Sequence, residues 1–218
     1  MNKKKKILKF IIIFILLIGL VAIILNIKIK NIYIKGNKIL TDQEIIELSG
    51  LENYPKLFEK STKSIKSKIK LSPYIENVKV KKNLFGKITI EVLEYNLLLK
   101  DVTDNFIYIS NLDKLPLDDN IIGIPSLINY VDEDILNSFL EKLNTIDKNI
   151  LSKISEVEYT PNEYDKDLFL FYMNDGNYVY ITTTRLLNIN KYASVVEKLE
   201  GKKGILYLDS GNHFEILE

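Results

Sequence analysis

The chain opens with one long apolar run and continues as segments in which apolar and polar positions alternate. Residues 10–27 are apolar except at two positions, and two further apolar residues precede the run. About 20 apolar positions in a helix rise roughly 30 Å, which is the thickness of the hydrocarbon core of a bilayer. We therefore predict a basic cytoplasmic tail over residues 1–9 and a transmembrane helix over residues 10–28.

A cleaved signal peptide is the alternative interpretation of this run. Such a peptide has a shorter apolar core and a following cleavage site of small residues, whereas large apolar residues follow Gly19 here. An uncleaved anchor is favoured. The five Lys of the tail predict a cytoplasmic amino terminus, with the later domains outside, although four more Lys on the far side of the run reduce the asymmetry. The nine residues are Lys3, Lys4, Lys5, Lys6 and Lys9 before the run, and Lys28, Lys30, Lys35 and Lys38 after it.

The segment after the anchor begins as a strand and continues as a short helix. Apolar residues at Ile32 and Ile34 alternate with polar ones up to a turn at Gly36. Thr41 and Glu44 match a capping box, in which each side chain bonds a backbone amide of the other residue. Gly50 is placed to end the helix.

A second helix is predicted from about Thr62 to Leu71, where Pro73 follows. Ile65, Ile69 and Leu71 are expected to point inward. The polar face carries Lys63, Lys66, Lys68 and Lys70. A solvated face is the simpler explanation of these lysines, and attraction to anionic lipid headgroups is the alternative.

Two strands follow this helix and complete a domain. Apolar residues recur at every second position over residues 78–80 and 88–92, and a short connection separates the two runs. The predicted order over residues 29–96 is therefore strand, helix, helix, strand, strand.

This order, and the residues that carry it, resemble a POTRA domain of the FtsQ/DivIB family of bacterial cell-division proteins. The similar stretches are "IKNIYIKGNKILTDQEIIELSGL" and "LSPYIENVKVKKNLFGKITIEVLE". The matching positions are Ile34, Gly36, Asn37, Thr41, Glu44, Ile45, Pro73, Ile75, Val78, Val80, Ile88, Ile90, Val92 and Glu94. The family usually has a Pro-Asn-like turn between the last two strands, where this chain has Phe85-Gly86.

Residues 97–218 predict a second, mixed α+β domain with a mostly antiparallel sheet. Apolar residues at helical spacing follow Asp132 and Asp134, and a turn at residues 174–177 separates two strand-like runs. A further helix is expected to carry Tyr192, Val195, Val196 and Leu199, before terminal strands at about 205–208 and 213–217. This order resembles the β domain of the FtsQ/DivIB family, and the match is best at the ending "GILYLDSG".

The amino-acid composition excludes several kinds of functional site. The chain has no Cys and one His, His213, which excludes disulfides, thiolate metal sites and multi-histidine sites. Of the 30 basic residues only Arg185 is Arg, which argues against sequence-specific nucleic-acid binding. Residues 31–100 carry a net charge of +5 (13 Lys against eight acids), and residues 101–218 carry −11 (ten basic residues against 21 acids).

No residue pattern points to catalysis, to a cofactor or to a bound metal. Turns and helix starts hold three acidic clusters, which solvation, capping or loose Ca²⁺ association explains more simply than acid–base catalysis. These clusters are Asp118-Asp119, Asp132-Glu133-Asp134 and Asp165/Asp167. His213 could serve as a general base, but it lies in a predicted strand with no evident Ser or Cys partner.

The resemblance implies a non-enzymatic scaffold of the division machinery. It implies partners of the DivIC and FtsL kind, which are small single-span proteins with coiled coils, and indirect coupling to septal peptidoglycan synthases. We expect binding by strand addition at an edge built by residues 204–217. The predicted contact residues are Tyr207, Leu208, Asp209, Ser210, Phe214 and Ile216.

Three questions stay open from the sequence. Since strand residues alternate, half of these six side chains could face the core. An anchored cell-surface hydrolase with paired carboxylates is one alternative function. An anchored module that binds a wall polymer or a translocating polypeptide is the other.

Overall fold

The computed structural model describes residues 3–118 and 120–217. These residues form two compact units, which divide between Tyr95 and Asn96. Several residues discussed above lie outside the described part: Met1 and Asn2 of the tail, Asp119 of the acidic pair and Glu218, together with the side chains of Lys3, Lys4 and Lys5.

The amino-terminal helix, α1, spans Lys3–Leu25. Its residues Lys6–Leu25 are long and apolar enough to cross a membrane, and none of them is buried in the protein. The helix ends earlier than the expected span of 10–28. The chain leaves the helix because Ile27 and Ile29 pack into the core of the following domain, where Ile29 is only 4% exposed.

The rest of the first unit has the strand, helix, helix, strand, strand order that the sequence predicts. Its elements are β1 (Asn31–Lys35), α2 (Asp42–Ser49), α3 (Thr62–Ile69), β2 (Ile75–Lys82) and β3 (Lys87–Glu94). The sheet order is β1-β3-β2, in which β3 runs parallel to β1 and antiparallel to β2. Both helices contribute to the core beneath the sheet, through Ile45, Ile65 and Ile69, all fully buried.

The predicted capping box of α2 and its predicted end at Gly50 are both confirmed. The Glu44 amide donates to Thr41 Oγ1 at 3.2 Å, and the Thr41 amide donates back to the Glu44 carboxylate at 2.7 Å. This bond to the carboxylate holds the pKa of Glu44 below its usual value. Gly50 ends the helix with φ of +69°, a conformation that glycine adopts without strain.

The expected inward position of Leu71 is wrong. Helix α3 ends at Ile69, and Leu71 is 82% exposed. Ile65 and Ile69 are four residues apart and share one helical face, whereas Leu71 comes two residues later, after the chain has left the helix. The Lys side chains of α3 are exposed, as expected.

A buried carboxylate closes the loop between β1 and α2. Glu94, 7% exposed at the end of β3, accepts the amides of Lys38, Ile39 and Leu40 at 2.7–3.0 Å. Gly36 starts the loop with φ of +87°, and a Cβ at this position would lie 2.2 Å from the Val92 carbonyl oxygen. The glycine therefore allows the loop to approach β3 closely enough for Glu94 to bind it.

The second unit is a nine-stranded sheet with helices. Its strands are β4 (Leu97–Asp101), β5 (Phe106–Ile109), β6 (Lys114–Pro116), β7 (Ser126–Leu127), β8 (Ile154–Tyr159), β9 (Leu168–Met173), β10 (Tyr178–Thr182), β11 (Gly204–Tyr207) and β12 (His213–Ile216). The order is β12-β11-β10-β9-β8-β7-β4-β5-β6. Five of the eight pairs are antiparallel, so the expected mixed α+β fold with a mostly antiparallel sheet is confirmed.

The helices cover one face of this sheet. They are α4 (Glu133–Leu143), α5 (Lys148–Leu151), a 3₁₀ segment at Thr183–Lys191, α6 (Tyr192–Val196) and a 3₁₀ turn at Glu197–Leu199. Phe139 of α4 stacks on Phe169 of β9 with ring centroids 4.1 Å apart, and meets Phe171 edge-on at 6.1 Å. These rings form the centre of the core.

The sequence pattern missed three strands and misplaced one helix. Strands β4, β6 and β7 were not predicted, because β7 has only two residues and β6 lies in a turn-rich stretch. The expected helix around Tyr192 starts earlier, as 3₁₀ structure directly after β10, and its α-helical part ends at Val196. Leu199 is therefore only half-buried.

Candidate functional site

The last two strands form one edge of the nine-stranded sheet. Strand β12 pairs antiparallel with β11, and β11 pairs parallel with β10. Within the residues that the structure describes, β12 has a neighbouring strand on one side only. An edge strand of this kind presents unpaired N–H and C=O groups to a partner.

The register shows which backbone groups point outward. The Leu217 amide donates to the Lys203 carbonyl at 3.0 Å, and Gly204 lies opposite Ile216. Pairs that exchange hydrogen bonds alternate with pairs that do not, so residues 213, 215 and 217 direct their N–H and C=O groups towards β11. The backbone groups of Phe214 and Ile216 therefore point away from the sheet.

The structure separates the six predicted contact residues by their surroundings. Leu208 is 4% exposed and lies in the core, so its side chain is not part of the surface. Phe214 is half-buried against the core, and Ile216 is 50% exposed. Tyr207 and Asp209 are half-buried, and Ser210 is exposed in the turn between the strands.

Three aromatic rings, on β10, β11 and β12, stack side by side on the face of the sheet that the helices do not cover. The ring centroid of Tyr207 lies 5.5 Å from that of Tyr180 and 4.5 Å from that of His213, and both pairs are stacked. The Tyr207 hydroxyl donates to the Glu215 carboxylate at 3.0 Å. This bond, with a smaller contribution from burial, raises the pKa of Tyr207. His213 is thus part of a stacked aromatic surface.

Gly204 sets the distance between β11 and β12. A Cβ built at this position would lie 1.9 Å from the Glu215 carbonyl oxygen and 2.7 Å from the Phe214 ring. Any other residue at Gly204 would push β12 outward. The sequence indicated a glycine-rich break at this point but did not indicate this contact.

A polar network holds the start of β11 from the other side. The Gly204 amide donates to the Asn177 side chain at 3.0 Å, and that side chain donates to the Tyr192 hydroxyl at 3.0 Å. The Tyr192 hydroxyl donates to the Asp175 carboxylate at 2.8 Å. Burial and this bond raise the pKa of Tyr192 well above its usual value. The sequence identified Asp175 and Asn177 as turn residues, and their second role depends on tertiary contacts.

A cavity of about 170 Å³ lies beside the edge, between the helical segment and the last two strands. Its apolar wall includes Val195, Leu206 and Phe214, and its polar rim includes Lys191 and Asn188. Because Phe214 of β12 lines this cavity, a side chain of a strand added to β12 could reach it.

Two of the acidic clusters make local hydrogen bonds: the Asp118 carboxylate accepts the Asn120 amide at 2.9 Å, and the Asp167 carboxylate accepts the Thr184 amide at 3.3 Å. Asp132 occupies the N-cap position of α4, but its side chain makes no capping hydrogen bond. Among the described residues, 3–118 and 120–217, no group of three or more His, Cys, Asp or Glu is placed to hold a metal ion.

Known proteins resemble both compact units of this chain. Residues 27–95 match the family described as POTRA domain, FtsQ-type. The cell division protein DivIB of Listeria monocytogenes is 26% identical in an alignment of 233 positions, which covers 98% of this chain and 84% of that protein. Residues 27–95 thus match a POTRA domain of the FtsQ type, and the chain is similar over almost its whole length to a cell division protein named DivIB. This confirms the resemblance inferred from the POTRA-like residues.

Other FtsQ/DivIB relatives match over similar lengths. DivIB of Bacillus cytotoxicus is 27% identical in an alignment of 203 positions, which covers 87% of this chain and 77% of that protein. Among solved structures, the major extracytoplasmic domain of DivIB from Geobacillus stearothermophilus, in its trans isomer, is 20% identical. The structural match covers 49% of this chain and 95% of the Geobacillus chain, with a TM-score of 0.42. Both curated relatives are named as cell division proteins.

Proposed function

We propose that this protein is a non-enzymatic scaffold of the bacterial divisome, anchored in the cell membrane by α1 and acting outside the cytoplasm. The FtsQ-type POTRA match and the similarity to cell division proteins named DivIB support the role in division. The length and apolar composition of α1 support the anchor, and the basic residues before it support a cytoplasmic amino terminus. We place the protein at the division septum.

The β12 edge captures an extended segment of a partner by strand addition. The outward backbone groups of Phe214 and Ile216 carry this proposal, since each can exchange two hydrogen bonds with an added strand. The aromatic face at Tyr207 would contact side chains on one side of the added strand. The cavity lined by Phe214 and Lys191 would accept an apolar side chain on the other side.

The partners are small coiled-coil division proteins of the DivIC and FtsL kind. Through them the scaffold couples indirectly to septal peptidoglycan synthases. Asp209 and Ser210 lie in the turn that leads into β12 and would contact the end of the added segment. Leu208 supports this edge from the core and does not contact the partner.

A backbone substitution tests the edge directly. Ile216→Pro removes an outward N–H and keeps the inward bonds of residues 215 and 217 to β11. We expect the partner to bind at least roughly 5-fold more weakly, because a buried acceptor of the partner left without its donor costs about 1–3 kcal/mol. Phe214→Pro should act in the same direction and also removes a packed ring.

Ile216→Ala is the matched control, since it shortens the side chain and keeps the N–H. The measurement is the affinity of the full-length chain, in detergent or nanodiscs, for purified partners of the DivIC kind. Unchanged affinity in Ile216→Pro, or an equal loss in Ile216→Ala, contradicts strand addition at this edge.

The position of the protein in growing cells tests the proposed role in division. Immunofluorescence with antibodies to the distal domain should show a band at mid-cell that appears with constriction. Uniform peripheral staining at every stage would instead favour a function in the cell envelope outside division.

A further inference from the structure

The end of the POTRA domain next to α1 carries large apolar side chains on its surface. Phe85 is 83% exposed and Leu84 is 58% exposed in the turn between β2 and β3. Tyr54 and Phe58, in the loop before α3, are each 46% exposed. Exposed aromatic and aliphatic residues grouped in this way mark an interaction surface.

The backbone holds this turn against the residues that follow α1. The Gly86 carbonyl accepts the Lys30 amide at 2.8 Å, and a Cβ at Gly86 would lie 2.5 Å from the Lys28 carbonyl oxygen. Gly86, with φ of +82°, permits this contact because it has no side chain. The turn therefore lies against residues 28–30, three to five residues beyond Leu25, the end of the helix.

The loop that carries Tyr54 and Phe58 is fixed to the same place. The Leu57 amide donates to the Ile27 carbonyl at 2.8 Å, and the Ile29 amide donates to the Pro55 carbonyl at 3.1 Å. The Lys56 ammonium donates to the side chain of Asn26 at 2.7 Å. The join between helix and domain is thus a hydrogen-bonded structure rather than a free linker.

Chain lengths keep this surface close to the lipid headgroups. Five residues span at most roughly 18 Å, so the bond from Lys30 to Gly86 lies within about that distance of the end of α1. The headgroup layer adds roughly 5–8 Å to each side of the hydrocarbon core. The three chain segments that meet here also carry exposed lysines, as expected for a surface that meets anionic headgroups; they are Lys28, Lys30, Lys56 and Lys87.

From these observations we propose that the turn at Leu84 and Phe85 inserts into the outer surface of the bilayer, as a second membrane contact of the POTRA domain. The surrounding lysines bind anionic headgroups. This inference rests on the proposed membrane anchor. Its consequence is a fixed orientation of the POTRA domain relative to the membrane.

A single tryptophan tests the insertion, because the chain contains no Trp of its own. In full-length Phe85→Trp, reconstituted into vesicles of phosphatidylcholine and phosphatidylglycerol, we expect blue-shifted emission and strong quenching by brominated acyl chains. Leu84→Trp should behave in the same way. Leu71→Trp is the control, because Leu71 is 82% exposed and lies at the other end of β2. Its emission should be that of a residue in water, without quenching.

Two results overturn the proposal in different ways. If Phe85→Trp in vesicles is quenched no more than Leu71→Trp, the insertion is wrong and the anchor stands. A blue shift without quenching by brominated lipid has the same meaning, since a protein surface then covers the residue. If the chain fails to float with the vesicles, the anchor itself is wrong, and the insertion with it.

Discussion

Gly204 offers a direct test of how the terminal edge is built. In Gly204→Ala the added Cβ would meet the Glu215 carbonyl oxygen at 1.9 Å and the Phe214 ring at 2.7 Å. The first of these atoms belongs to the backbone and cannot rotate away, so β12 has to move outward. The hydrogen bonds between β11 and β12 are then lengthened.

The expected penalty follows from overpacking. Forcing one extra carbon into a filled space typically costs about 1–3 kcal/mol. Because β12 is an edge strand, most of this penalty should appear as easier local opening of the strand. The amides of residues 213, 215 and 217, which bond to β11, should then exchange with solvent deuterium roughly 5- to 150-fold faster.

Hydrogen exchange measured by mass spectrometry on the full-length chain resolves this effect peptide by peptide. Gly211→Ala is the matched control, since a Cβ there would lie 3.6 Å from His213 Nδ1, an ordinary contact. Peptides of the POTRA domain serve as an internal reference and should be unchanged. Wild-type exchange over residues 213–217 in Gly204→Ala, or equal acceleration in Gly211→Ala, would refute the close-approach argument.

Three further predictions concern hydrogen bonds inside the two domains. Tyr192→Phe removes the hydroxyl of the buried network and should lower the free energy of unfolding by about 1.5–3 kcal/mol, whereas Tyr164→Phe, at a residue 91% exposed, should change it by less than about 0.5 kcal/mol in denaturant titrations. Glu94→Ala leaves three loop amides without their acceptor and should destabilise the POTRA domain by on the order of 3 kcal/mol; unchanged thermal unfolding would contradict this role. The Tyr172 hydroxyl donates to Glu158 at 2.6 Å, which raises the pKa of Tyr172 to about 12. The native state thus favours the neutral phenol: this stabilisation is complete below the unfolded pKa of about 10 and is lost as the pH rises towards 12. Glu158→Gln should return the Tyr172 pKa towards 10 in NMR titrations of labelled tyrosine, and an unshifted value would show that Glu158 is not the cause.

The POTRA domain was predictable because its signals are local. The capping box of Thr41 and Glu44, the stop at Gly50 and the period-two strands each act over a few residues, and the structure contains all of them. Leu71 shows the limit of such signals. Its apolar character suggested burial, but only the actual end of α3 decides which way it points.

The distal domain was less predictable because its sheet depends on long-range pairing. Strand β7 has two residues and joins the sheet through parallel pairs with β4 and β8. A two-residue strand has no periodicity to detect. Long-range contacts escaped the sequence in the POTRA domain too: the sequence did not indicate that Glu94 binds three loop amides, since these partners lie more than 50 positions away.

The sequence predicted the edge strand of the candidate site but not which of its residues face outward. The sequence suggested a terminal edge, and the structure has β12 at that position. Which residues face outward depends on the register of β11 and β12, and the bond from Leu217 to Lys203 sets that register. Leu208 and Phe214 are both large apolar residues near the terminal strands. Only the fold shows that Leu208 lies in the core and Phe214 at the edge.

The hydrogen-bonded join after α1 has a mechanical consequence. Since Asn26 and Ile27 are fixed to the POTRA loop, rotation of the helix about its axis turns the domain with it. Each residue of an α-helix advances by about 100°, so one residue inserted into the membrane span would turn the POTRA domain by roughly that angle relative to the part of the helix before the insertion. The rotation of α1 about its axis in the bilayer thus sets the direction in which the POTRA domain faces.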